Sequence, residues 1–412
     1  MPHWAIFTET STPVRELLYS FLHGPYPKGF EILEHKKGVL FSTVEIARFI
    51  EEELRHDQKI LTKNKAQSLQ SMSSGERKKA LFSHLLSQNP EYMILDNAFD
   101  NLDALSRKYF VETIEAIRNS VIIIQVLSRS SDLLPFIEHY ASWHEDHLQL
   151  LETVPGVKKP PLDNPHNFDQ PLPSSNKKSV YNHPTLIELC KVSVSYEDKP
   201  ILDEINWRIA PGDFWELKGP NGSGKTTLLS LITGDNPKGY GQDLFLFGQK
   251  KGSGESVWDI KKQIGYVTPA LTDRFRGYHT VENMLISGLV DSIGLYIQPT
   301  DAQKKLAAAW LSILGLEDKK DRYFHDLGKG QQRLAMCARA MIKQPLLLIL
   351  DEPTSDLDDA SAELVVRLVN KLGKESSTAI VFVSHRKEPG LCPQYLLELL
   401  PTEKGSKGNV LK

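Results

Sequence analysis

A chain of 412 residues is longer than one hydrophobic core spans, and at roughly 150 residues per domain it predicts two or three domains. Hydrophobic residues make up 40% and charged residues 25%, with 26 glycines and 24 prolines, which excludes collagenous, low-complexity and wholly disordered classes. The 49 Lys and Arg against 52 Asp and Glu leave a net charge of −3, so no global basic field argues for nucleic acid or an anionic membrane surface.

In chain order, the start MPHWAIFTETSTPVRE has no basic region leading into an apolar core, so no export signal is visible. Ser73-Ser74-Gly75-Glu76-Arg77 comes next, then Met93-Ile94-Leu95-Asp96 and Asn101-Leu102-Asp103. The apolar run 121–124 falls far short of the roughly 18 residues of a membrane helix. From Pro155 to Pro184 the chain is dense in Pro, Asn, Ser and Lys, a composition that cannot build a packed layer and reads as an extended linker. This divides the chain into a domain at 1–150, a linker at 151–183, a larger domain at 184–400 and a Lys- and Gly-rich tail at 401–412 that is expected to fray. Cys190, Cys337 and Cys392 lie far apart and read as free thiols of a reducing compartment, which places the chain in the cytoplasm.

The flanks of the linker repeat each other. Gly75 and Gly330, Asp96 and Asp351, and Asp103 and Asp358 are each separated by 255 positions. An earlier echo pairs His3-Trp4 with Phe214-Trp215 at an offset of 211, and Gly24 with Gly234 at 210. The first half therefore lacks about 45 residues in its middle, and it has no equivalent of 185–213.

In the second half a strand-like run at 214–217 leads into Gly219-Pro220-Asn221-Gly222-Ser223-Gly224-Lys225-Thr226-Thr227, which then enters the helix-like LLSLITG. This is GxxxxGK[ST] in its strand, loop and helix context. Its glycines let backbone N–H groups surround a phosphate, Lys225 reaches the β and γ oxygens, and Thr226 offers a hydroxyl to Mg²⁺. Farther on, the strand-like 346–350 ends in Asp351-Glu352, one carboxylate for the metal shell and one for the attacking water. A β-branched run at 381–383 ends in Ser384-His385, where the imidazole could hydrogen-bond a γ-phosphate.

Together these residues resemble the ATP-binding cassette (ABC) ATPases, and the resemblance covers both halves apart from linker and tail. SSGER at 73–77 and LGKGQ at 327–331 look like two versions of the family's LSGGQ signature. The resemblance implies an α/β fold of two P-loop NTPase domains in tandem, the first trimmed and degenerate, that binds and hydrolyses ATP with Mg²⁺. It also implies that Tyr196 stacks on adenine, that Asp358 belongs to the seam between cassettes, and that His385 senses the γ-phosphate. Tandem cassettes without membrane helices look most like the soluble molybdate-transport or photorepair type. A transport role would need a separate membrane permease and peripheral attachment to the inner face of the membrane.

Read through the 211 offset, the first-half counterpart of the phosphate loop is Thr8 to Glu16, with Val14 in place of Lys225, Pro13 in place of Gly224, and Glu9 and Glu16 adding negative charge. Asn97 replaces Glu352, and Arg129 stands approximately for His385. Because cassettes sandwich each nucleotide between the loop of one half and the signature of the other, Ser73 and Gly75 are expected to face the intact loop. The ruined loop would face Gly328-Lys329-Gly330-Gln331, which lacks the signature serine. Damage collects in one composite site and spares the other. After Ile264-Gly265-Tyr266-Val267 the family pattern calls for a Gln, but this chain has Thr268-Pro269-Ala270, which leaves a low-turnover, nucleotide-gated binding module as the alternative to a working ATPase. Ser73 would also serve simply to cap a helix.

Overall fold

A computed structural model describes all residues except 10–11, 57, 63–66, 145–146, 156–165, 174–180, 198, 276 and 412. The chain divides into two compact units, Met1–Lys159 with Asp356–Ala360, and Pro160–Ser355 with Ser361–Lys412.

The first unit holds strands β1 (Trp4–Thr8), β2 (Gly38–Phe41), β3 (Tyr92–Asp96), β4 (Ile122–Leu127), β5 (His139–His144) and β6 (His147–Leu151). Its helices are α1 (Arg15–His23), α2 (Thr43–His56), α3 (Ser74–Ser87) and α4 (Ala104–Ile117). The sheet order is β2-β3-β4-β1-β5-β6, parallel except for the β5–β6 hairpin. Alternate residues of the central strands enter different cores because successive side chains point to opposite faces. Met93, Leu95 and Ile123 pack with Phe49, Phe82 and Phe110 of α2, α3 and α4. Tyr92, Ile94 and Ile124 pack with Leu17 and Phe21 of α1. Burial on both faces explains why β4 is apolar at almost every position.

The second unit adds β7 (Ile187–Tyr196), β8 (Lys199–Ile209), β9 (Phe214–Lys218), α5 (Lys225–Ile232), β10 (Asp243–Leu246), β11 (Gln249–Lys250), α6 (Val257–Lys262) and β12 (Ile264–Val267). There follow α7 (Pro269–Thr272), α8 (Val281–Ile286), α9 (Asp301–Leu314), α10 (Lys329–Met341), β13 (Leu347–Asp351), α11 (Asp359–Glu375), β14 (Ala379–Val383), β15 (Tyr395–Thr402) and β16 (Gly405–Leu411). The order is β11-β10-β7-β8-β16-β15-β9-β14-β13-β12. Its last six strands, read from β12 back to β16, repeat the whole sheet of the first unit. The antiparallel strands β7, β8, β10 and β11 have no counterpart there, and β7 and β8 are the stretch whose absence from the first half the repeat spacing implies.

The repeat extends to backbone detail. Asn89, Asn97 and Asn101 have positive φ, and so do Gln344, Glu352 and Asp356, each 255 positions later. A Cβ on Gly75 would lie 3.3 Å from Ser106 Oγ, and one on Gly330 would lie 2.4 Å from Ser361 Oγ, again 255 positions apart on both sides of the contact. At Gly330 a side chain would force the neighbouring helix to shift, and at Gly75 the same contact is tight.

Four expectations are corrected. The 401–412 tail does not fray along its length: Gly405–Leu411 is a strand that pairs with β15 from Leu396↔Leu411 to Thr402↔Gly405. Its Lys- and Gly-rich composition reflects a strand exposed over most of its length, entered through Gly405 at φ 106. Truncation after Thr402 would leave β15, with its buried Leu397 and Leu399, without a partner on one side, and should lower the Tm by at least ~5 °C in a thermal melt.

The proposed linker 151–183 is not extended throughout. Its segments 156–165 and 174–180 lie outside the described residues, but 166–173 dock on the second unit. Asn167 N donates to Ile313 O (3.1 Å), Leu172 N to Glu375 Oε2 (3.2 Å), and the Arg367 guanidinium lies 5.3 Å from the Phe168 ring centroid.

The remaining two corrections concern register. Leu18 N bonds to Val14 O as Leu228 N bonds to Gly224 O, so the helices are offset by 210, and Arg15, not Val14, stands where Lys225 does. One extra residue between strand and helix in the first half causes the slip. Likewise Asp96 pairs with Val126 and Asp351 with Val383, so β4 and β14 are offset by 257, and Ser128, not Arg129, is the counterpart of His385. Two extra residues between β13 and β14 account for this.

Candidate functional site

The site is built where β9 and β13 end. From β9 the chain enters the loop 219–224, where Gly222 and Gly224 adopt φ of 78° and 86°. A Cβ at Gly224 would come within 2.7 Å of Leu202 Cδ2 and 2.9 Å of Ile201 Cγ2, so this helix N-cap needs glycine for both conformation and space. The loop delivers the N-terminus of α5, with its free N–H groups and positive potential, to an anion. Lys225, buried at the head of α5, reaches back so that Nζ donates to Gly219 O (2.7 Å) and Pro220 O (2.9 Å).

The loop and the head of α5 open onto a cavity of about 680 Å³, a size suited to a nucleotide. Asn221, Gly222, Gly224, Lys225, Thr226 and Thr227 form one wall. Tyr196, at the end of β7, forms another together with Lys199 and Ile201 of β8. Asp351, Glu352 and His385 complete the lining. Gly219, Pro220 and Ser223 belong to the loop but do not line the cavity; the Ser223 side chain is buried beneath it.

Burial first, and then the neighbouring Glu352 charge, push the Asp351 carboxyl up to about 6, while the Tyr266 hydroxyl donates to its Oδ2 (3.4 Å). Burial alone would raise Glu352 too, but the hydrogen bond and charge of His385, with the charge of Lys225, hold it below the ordinary carboxylate range. His385 Nε2 lies in direct contact with Glu352 Oε1. Glu352 also has positive φ, with its N–H donating to Val383 O (3.0 Å), so the backbone pins it against β14.

The oxygen donors Thr226 and Asp351 share this cavity, a donor set suited to Mg²⁺. The missing Gln position is filled differently: Thr268 caps α7, its Oγ1 accepting from Leu271 N (3.0 Å), and Pro269 opens that helix. Both line the cavity, and with Ala270 they bring no carboxamide to it.

Ser73, Gly75 and Asp358 belong to the first unit. Ser73 caps α3 in a capping box, with its N–H and Oγ both donating to Glu76 Oε2 (2.8 Å each). In the same unit, Asn97 Oδ1 accepts from Ser128 N (3.0 Å) and Ser128 Oγ (3.1 Å), a neutral pair at the positions of Glu352 and His385. Val14, the N-cap of α1, sits at φ −102° and not in the left-handed region that Gly224 takes, and Arg15 is exposed. The first loop therefore follows a different path as well as lacking glycines.

Sequence reasoning missed three groups around the cavity. Lys199 and Ile201 follow Tyr196 through the β7–β8 hairpin, a placement that only the strand pairing reveals. Tyr266, two residues before Thr268, had a signal in its strand position. Asn236, whose carboxamide contacts the Tyr196 hydroxyl, had none beyond its place in a turn.

A family model described as "ABC transporter" matches residues 202–355. The ABC transporter ATP-binding protein ModF of Escherichia coli K12 is 40% identical over 351 residues, which cover 80% of this chain and 70% of that protein. An uncharacterized ABC transporter ATP-binding protein of Schizosaccharomyces pombe is 31% identical over 331 residues, covering 78% of this chain and 66% of its own length. Among solved structures, cbiO1 from Clostridium perfringens aligns over 54% of this chain and 87% of its own, with a TM-score of 0.47 and 23% identity.

Proposed function

This chain belongs to the ATP-binding cassette ATPases, enzymes that hydrolyse ATP, and from that premise we propose that it turns over ATP at a single site built on its second unit and completed by the signature of its first. The carrying observation is that one cavity gathers the base platform Tyr196, the phosphate-loop residues Lys225 and Thr226, and the triad Asp351, Glu352 and His385. In this reading Lys225 leaves the Gly219 and Pro220 carbonyls for the β and γ oxygens. The loop and the α5 terminus hold the phosphates. Thr226 and Asp351 would hold Mg²⁺, whose chemistry when bound would be to neutralise charge on the phosphates. Glu352 takes a proton from the attacking water, and His385 positions that carboxylate and meets the γ-phosphate.

The contribution of Ser73 and Gly75 is supported by the distribution of damage. The first loop has lost its glycines, its acid–imidazole pair is Asn97 and Ser128, and the signature expected opposite that loop has Gly328 where serine is usual. The signature expected opposite the intact loop keeps both Ser73 and Gly75. Joining the halves on one chain raises the effective concentration of each for the other. A Ser73→Ala variant should lose roughly 10- to 100-fold in ATP turnover, the worth of one hydrogen bond to a charged group. A Ser73→Asn control keeps the helix cap, and it should lose turnover too while retaining the Tm. Unchanged turnover in both would remove the first half from the site.

The second reading, a nucleotide-gated module with little turnover, is favoured by Thr268 and Pro269, which line the cavity where the family pattern has a Gln. Steady phosphate release that disappears in Lys225→Ala would exclude it. In either reading closure of the halves would drive a partner process. No helix among the described residues is long and apolar enough to cross a membrane, so a transport role would use a separate permease, to be sought by co-purification with the Glu352→Gln variant in ATP.

A further inference from the structure

We propose that Asn236 is a positioning residue for the nucleotide base, fixing the ring of Tyr196 and tying it to the first turn of α5. The proposal deepens the ATP reading above and rests on it. Asn236 follows α5 in the turn Gly234-Asp235-Asn236-Pro237 and is 5% exposed. Its Nδ2 donates to the Tyr196 hydroxyl (2.8 Å) and to Ser230 Oγ (3.0 Å). Ser230 Oγ in turn donates to Thr227 O (2.7 Å), and Thr227 lines the cavity. The carboxamide orientation is set from its other end, where Oδ1 accepts from Lys238 N (3.0 Å), while Asn236 N donates to Ser230 O (3.0 Å).

Both amide hydrogens and the oxygen of a buried side chain are therefore committed, and one of them goes to a tyrosine that is 43% exposed. A half-exposed aromatic ring at the end of a strand is free to change rotamer, and stacking requires it to wait in one place. The chain from Tyr196 through Asn236 and Ser230 to Thr227 fixes the ring relative to the element that carries the phosphate loop. Base and triphosphate are thereby read in one frame. In the first half, which has no counterpart of β7, the position of Asn236 is occupied by Tyr26, by the 210 offset of the helices.

Because the ring that the network holds meets the base and not the phosphates, losing the tether should be visible with ATP and invisible with inorganic tripolyphosphate. Tyr196→Phe removes only the hydroxyl that accepts this bond, and Asn236→Leu removes the buried carboxamide. Dissociation constants of both ligands with Mg²⁺ would be measured by calorimetry on the full chain, together with KM and kcat. Each variant should weaken ATP binding about 3- to 10-fold, raise KM to match so that the loss in kcat/KM falls on KM, and leave tripolyphosphate affinity unchanged. The double variant should be no weaker than either single one, because both cut the same link. Equal losses for tripolyphosphate and ATP, additive losses in the double variant, or unchanged ATP affinity in Tyr196→Phe would each overturn the proposal. A wild-type chain that binds tripolyphosphate but not ATP would instead overturn the ATP reading itself.

Discussion

Replacing Glu352 by Gln should slow phosphate release by about 10²–10⁴-fold, the usual worth of a positioned general base, while ATP stays bound. The substitution keeps the shape of the side chain and its place after β13, and it removes the carboxylate that accepts the proton in this reading. That group is an ionised carboxylate at neutral pH, because the hydrogen bond and charge of His385 and the charge of Lys225 outweigh the burial that would neutralise it. The neighbouring Asp351 does not replace it, because in this reading that carboxylate is committed to Mg²⁺ together with Thr226, and the Tyr266 hydroxyl already bonds its Oδ2 (3.4 Å). Filter binding of labelled ATP to the variant should give one tightly held nucleotide per chain. Two per chain would show that the first half, despite Asn97 and Ser128, retains a site of its own. Hydrolysis within tenfold of wild type would move the base elsewhere.

The second half was legible because its chemistry is written in contiguous segments. A phosphate loop is a local object: glycines at 222 and 224 specify a backbone path, Lys225 follows, and strand β13 needs only four buried residues before Asp351. The duplication was legible for the same reason, since a 255-residue spacing carries over even to the positive φ of Asn97 and Glu352. Small register slips were not. An insertion of one residue before α1 and of two between β13 and β14 changes which side chain stands at the site without disturbing any motif, and only the hydrogen-bond ladder shows that Arg15 and Ser128 are the true counterparts of Lys225 and His385.

Polar segments misled for a different reason. The tail and the 166–173 tract have too few apolar residues to signal order, and both are held mainly through backbone groups: seven ladder pairs for the tail, and bonds to Ile313, Glu375 and Gln344 for the tract. Composition does not record such bonds. Asn236 lies in the same blind spot, because nothing in a turn sequence tells which distant hydroxyl its carboxamide will meet.

Lys225→Ala should reduce ATP affinity by about 100-fold or more and abolish turnover, since it removes the cation that meets two phosphate oxygens, each charged hydrogen bond being worth about 1.5–3 kcal/mol. The present partners of Nζ are the carbonyls of Gly219 and Pro220, so the lysine also closes its own loop when no phosphate is there. Its removal leaves those carbonyls without this donor, and a modest fall in Tm is expected alongside the loss of binding. The decisive readout is therefore the ligand-dependent part of stability: ATP at 100 times its wild-type Kd should stabilise the wild-type chain by about 2.7 kcal/mol and the variant by well under half of that. The same experiment on the first half gives the contrasting expectation. Arg15→Ala, which removes the cation at the equivalent helix position, should leave ATP affinity and turnover unchanged, because that side chain is exposed and the loop before it has Val14 at φ −102° where a cradle needs glycine. A loss of turnover in Arg15→Ala comparable with that in Lys225→Ala would mean that the degenerate loop still touches nucleotide, and the single-site mechanism would have to be abandoned.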